Sequence, residues 1–242
     1  MKLEKPRLSK TAKGKVDEND RRTDRSARLD DMAILVPGFP GPLMAEGQVT
    51  ENADGYTVDL SGQGPGATSA HVTGSLASDF STADLSLSGG GQSAIINPFI
   101  SPRNVEGPVS FDLRFSGPLA LSSLSGRVAL DNGRVVAPTF GIELEAAGVT
   151  ADLANGRATL GGSAGIHGGG RIELSGPVSL AKPFDGSITL RLTNARLTDP
   201  DLYETTVAGM VAIPGPMPGG PMTSGAVELG RTDGRVPPRN LG

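Results

Sequence analysis

From about residue 48 onward the chain alternates apolar and polar residues with a period of two. The clearest run is Val109-Ser110-Phe111-Asp112-Leu113-Arg114-Phe115. Neighbouring side chains of a strand point to opposite faces, so this run predicts a strand with one apolar and one wet face. The same alternation marks Val128 and Leu130, the stretch from Val149 to Leu153, Ile172 and Leu174, Val178 and Leu180, and Ile188-Thr189-Leu190-Arg191-Leu192. Between these runs, Asp131-Asn132-Gly133 and Asn155-Gly156 supply the residues of a type I′ hairpin turn, whose central positions need φ > 0. Two-residue turns join antiparallel neighbours. The pattern therefore predicts an all-β chain with a mostly antiparallel meander, and no amphipathic helix after residue 48.

The strands also repeat. Ser116-Gly117-Pro118-Leu119-Ala120-Leu121 returns as Ser175-Gly176-Pro177-Val178-Ser179-Leu180, and further units open on Gly126, Gly186 and Gly225. A recurring strand, Gly-containing turn and strand suggests a quasi-one-dimensional array in which units stack on their neighbours. The spacing is irregular, unlike that of a strict solenoid.

Two segments precede this array. Residues 1–31 hold ten Lys or Arg and seven Asp or Glu with few apolar residues. Such a stretch buries too little surface to offset its ordering entropy, and a disordered charged tail is expected. Residues 32–47 include Pro37-Gly38-Phe39-Pro40-Gly41-Pro42 and read as a linker. The repetitive β segment is expected over 48–242.

Composition sharpens the fold. The chain has 35 Gly and 19 Pro, no Trp, and only 4% aromatic residues. Large rings anchor most thick cores, so a thin repeated sheet fits better than a compact globule. Cysteine is absent, which excludes disulfides and Cys-based metal sites. The net charge of −4 argues against general nucleic-acid binding. No stretch reaches the roughly 20 apolar residues of a membrane-spanning helix. Met32 to Val36, halted by Pro37, is too short for a signal-peptide core of about 7–15 residues. As written, the chain is expected to carry neither export signal nor anchor.

Catalytic patterns are poor. Gly161-Gly162-Ser163-Ala164-Gly165 matches the nucleophile elbow G-x-S-x-G, and His167-Gly168-Gly169-Gly170 resembles an oxyanion loop. The elbow needs a strand before and a helix after, and the oxyanion loop belongs on a separate strand end. A Gly-rich turn is the simpler expectation. Asp199-Pro200-Asp201 offers two carboxylates where calcium prefers six to eight oxygens, and reads as a turn. No phosphate-binding G-x-x-x-x-G-K-[ST] occurs. No enzymatic activity, metal or cofactor is expected.

The run from Gly169 to Leu180 (GGRIELSGPVSL) resembles the repeating strand-turn phrase of the TamB-type translocation and assembly module family. Asn194-Ala195-Arg196-Leu197-Thr198-Asp199-Pro200-Asp201-Leu202-Tyr203-Glu204-Thr205 is similar to a segment that recurs there ahead of a Gly-rich turn and another strand. Here the continuation is Val207-Ala208-Gly209, Gly219-Gly220 and the strand near Val227. The likeness covers roughly residues 105–236.

It implies an elongated, curved, repetitive antiparallel sheet folded as a trough with an apolar interior. It further implies a periplasmic protein, anchored in the inner membrane at full length and lacking catalytic activity. That protein would work with a TamA-like outer-membrane barrel partner in outer-membrane protein assembly and in phospholipid transport between membranes. The chain then reads as a fragment of such a protein. Phe111, Leu113, Phe115, Ile172, Leu174, Ile188, Leu190 and Leu192 are the expected lining of a groove for phospholipid acyl chains. Asp112, Arg114, Glu173 and Arg191 are expected in water. The alternation by itself fits a closed sandwich equally well, and the resemblance favours the trough. The alternative function is a secreted, adhesin-like β-array that binds surfaces.

Overall fold

The computed structural model describes residues 22–29, 43–138, 141–199, 203–216 and 224–234. The strands are β1 (Arg22–Leu29), β2 (Leu43–Asn52), β3 (Gly55–Gly64), β4 (Thr68–Ala77), β5 (Thr82–Gln92), β6 (Asn104–Glu106) and β7 (Pro108–Pro118). They continue as β8 (Leu124–Ala137), β9 (Ile142–Ala154), β10 (Arg157–Ile166), β11 (Arg171–Ser179), β12 (Asp185–Asp199), β13 (Tyr203–Pro216) and β14 (Ser224–Gly234). All belong to one sheet, and their order in space follows their order in the chain. The exception is β6, which extends the line of β7 and pairs with the far half of β8. Every described pairing is antiparallel. The described helical structure is a 3-10 turn at Ser93–Ile96 and a one-turn α1 (Asn97–Ile100), both between β5 and β6.

No described pairing joins β1 to β14, so the sheet is open. Thirteen neighbouring strands at about 4.8 Å spacing give an array on the order of 60 Å across. Among the described residues no second layer covers the apolar face. Among the described residues no large side chain is fully buried, and the buried apolar set is mostly alanine and valine. β7 shows the consequence, alternating exposed and half-buried positions along its whole length.

The densest packing is local. Ile166, Ala195 and Val207 form a buried cluster, with Leu144, Ile172 and Leu192 against it. It lies where the strands are bulged. Register shifts fall between Leu130 and Gly133, Ser163 and Gly165, Leu192 and Ala195, and Thr205 and Val207. Asn132, Ala146 and Asn194 supply positive φ there. A bulge bends its strand and increases local twist, and these bulges lie beside the buried cluster.

Four expectations change. Arg22–Leu29, placed in a disordered tail, forms β1, and Leu43–Gly47, placed in the linker, opens β2. β1 aligns Ala27 with Ala45 and Leu29 with Leu43. An edge strand draws its order from the neighbour's backbone and needs little apolar content of its own. Residues 1–21 and 30–42 lie outside the described residues. Asn132 sits within β8 as a bulge residue, not at a hairpin tip. Gly161–Gly165 lies inside β10 and is a strand rather than a turn.

Candidate functional site

Residues directly opposite in an antiparallel ladder share a face, so the register connects distant strands. Leu174 pairs with Gly162, Gly162 with Val149, Val149 with Leu130, and Leu130 with Val109. Phe111, Leu113 and Phe115 follow Val109 on the same side of β7. On the other flank, Leu174 pairs with Leu190 and Ile172 with Leu192, and Ile188 pairs with Ile213 of β13. All eight residues expected in the groove therefore share one face, and each is half-buried. The face continues through Leu85 and Leu87 on β5, Val72 on β4 and Leu60 on β3. Asp112, Arg114, Glu173 and Arg191 are exposed on the opposite face.

Glycines interleave with the large side chains. Gly74 lies between Val58 and Leu85. Its φ is +138°, and a Cβ there would overlap the Asp84 carbonyl oxygen. Gly176 repeats the arrangement at φ +139° against the Ser187 carbonyl. Only glycine adopts such a backbone readily, and its missing Cβ lets the neighbouring strand's backbone come close.

The wet face is laced with cross-strand ion pairs. Arg127 Nε donates to Asp152 Oδ1 at 2.6 Å, and Arg114 Nη2 lies 2.9 Å from Asp84 Oδ1. The Asp152 carboxyl is held below its usual range by the Arg127 hydrogen bond. Near the bulges, Arg134 Nη2 meets Glu143 Oε1 at 2.6 Å, and His167 Nδ1 meets Glu145 Oε1 at 2.8 Å. The Glu145 hydrogen bond raises the His167 pKa, and the charges of Glu145 and Glu143 add to it. Glu143, Glu145 and His167 bring three potential metal ligands within 4.8 Å of one another. Both carboxylates are engaged by cations or the imidazole, so the arrangement is an ion-pair network. Sequence reading missed it because the three residues are brought together by cross-strand register, not by spacing.

Four shallow concavities of about 490 to 550 Å³ border chiefly polar positions such as Glu46, Ser61, His71, Ser163 and Glu173. Of the eight expected lining residues, Leu174 borders one of these four. Ser163 Oγ accepts from Arg171 Nη2 at 3.0 Å, and β11, not a helix, follows β10; a nucleophile elbow has a different shape. Of Asp199-Pro200-Asp201, only Asp199 is described, at the end of β12. No helix of the described residues is long and apolar enough to cross a membrane.

The fold and its two faces define a class, a single-layer antiparallel meander that is apolar on one side and charged on the other. Comparison of the chain with family models, curated proteins and solved structures gives no match.

Proposed function

We propose that the chain is a non-catalytic segment of a TamB-like envelope protein whose apolar face carries phospholipid acyl chains between membranes. The observation that supports this is the unbroken apolar register from Leu60 on β3 to Ile213 on β13. Single soluble domains rarely expose contiguous apolar patches beyond a few hundred Å², and among the described residues no second layer covers this face.

The dimensions suit the cargo. A ten-residue strand such as β3 is about 33 Å long, longer than an extended acyl chain. Moving one chain onto the face recovers about 0.8 kcal/mol per CH₂, on the order of 10 kcal/mol per chain before ordering costs. Because the same apolar face runs across successive strands, a lipid has no single seat and can move from strand to strand. The periplasmic location, the TamA-like barrel partner and the role in outer-membrane protein assembly come with the sequence resemblance. The test is mass spectrometry of the chain purified from a bacterial envelope. Phospholipid is expected to co-purify, and a lipid-free chain would overturn the reading.

A further inference from the structure

Hairpin connections alternate between the two long rims of the sheet. One rim collects the turns joining β2 to β3, β4 to β5, β7 to β8, β9 to β10 and β11 to β12. These tips are neighbours. Thr82 pairs with Pro118, the Gly156 Cα lies beside Ser122, and Leu180 N–H donates to the Gly156 carbonyl at 2.8 Å.

Two of the tips share an unusual device. Phe80 N–H donates to the Ala77 carbonyl at 2.9 Å, and Phe184 N–H donates to the Ala181 carbonyl at 2.8 Å. Both phenylalanines have left-handed backbone, with φ of 56° and 63°. After a tight turn this position favours glycine or asparagine, and a bulky residue there is a genuine outlier. Phe80 is nevertheless 54% exposed, its ring stacked on Tyr56 at 5.3 Å. In the adjoining tip, Leu119 and Leu121 are 56% and 53% exposed. The sequence from Leu119 to Leu124 carries no charge. A bulky residue held in a strained backbone and largely exposed is a pointer to function.

We infer that this rim, through Phe80, Leu119, Leu121 and Phe184, seats the sheet on a phospholipid bilayer. The inference builds on the lipid-bearing reading of the apolar face and names where that face meets its source. The rim suits a bilayer better than a folded partner. The exposed parts of Phe80, Leu119 and Leu121 amount to on the order of 300 Å², well short of the roughly 800 Å² per partner of a stable protein interface. Separate protruding tips also lack a matching surface, whereas hydrocarbon requires no shape complementarity. The rim is continuous with the apolar face, because Phe115 and Leu85 pair three residues inside the strand ends Pro118 and Thr82. The opposite rim carries Glu143, Glu145 and His167 at its edge, together with Ile96, which is 44% exposed.

The test uses the full chain and vesicles of phosphatidylethanolamine and phosphatidylglycerol. The chain has no tryptophan, so Phe80→Trp places a single reporter on the rim and Ile96→Trp one on the opposite rim. The Phe80→Trp emission is expected to shift to the blue on adding vesicles and to be quenched by brominated lipid, with Ile96→Trp unaffected. Phe80→Asn combined with Leu121→Ser is expected to lower vesicle flotation at least tenfold; asparagine tolerates the left-handed backbone, and circular dichroism checks the fold. Equal responses at both rims, no response at either, or unchanged flotation would overturn the inference. So would a loss of self-association without any change in flotation, which would make the rim a contact between copies. Lipid co-purification reads the apolar face separately, so the two proposals can fail independently.

Discussion

At the scale of single residues, backbone conformation and charge pairing decide most. Asn155-Gly156 is legible from sequence because both residues adopt positive φ, at 51° and 70°, between the paired Ala154 and Arg157. Asn132 misleads for the same reason. Its φ of 49° satisfies a bulge as well as a turn, and only the partner strand distinguishes them. His167 has no sequence signal at all; its partner Glu145 lies on β9, across the ladder from β10. Its raised pKa has a definite consequence. Stability from this contact is fully present below the histidine pKa of the unfolded chain and is lost as pH rises through the higher folded pKa. Denaturant midpoints are expected to fall slightly between about pH 6 and pH 8, and His167→Gln is expected to remove that part of the slope. A slope unchanged by the substitution would show that the pair contributes nothing.

At the scale of strands, alternation locates β7, β9, β11 and β12 from sequence because each carries large apolar residues at every second position. β1 escapes because its order comes from pairing with β2. The repeated glycines are visible in the sequence, but their purpose is not. They suggest turns, whereas Gly74, Gly126 and Gly176 sit inside strands against a neighbouring backbone. Gly74→Ala is therefore expected to destabilise by more than the roughly 1–3 kcal/mol of backbone strain, since its Cβ also overlaps β5. Gly148→Ala, whose Cβ would meet nothing within 4 Å, is expected to stay within about 0.5 kcal/mol of the parent. Urea titration of the two variants side by side decides the matter, and equal midpoints would refute the close-approach account.

At the scale of the whole molecule, period-two patterning says that one face is apolar but is silent on whether it is covered. Among the described residues it is left open, with β1 and β14 not paired to each other. The eight residues named from sequence share that face because ladder register carries one strand's parity to the next. The shallow polar concavities behind it have no sequence signal, since they arise where small Ser, Thr and Gly side chains meet across strands. The central claim, a two-faced sheet bearing acyl chains on one side only, is tested most directly by photo-crosslinking in a bacterial envelope. Crosslinkers at Phe111 and Leu190 are predicted to capture phospholipid while those at Asp112 and Arg191 do not; equal capture on both faces, or none on either, would contradict it.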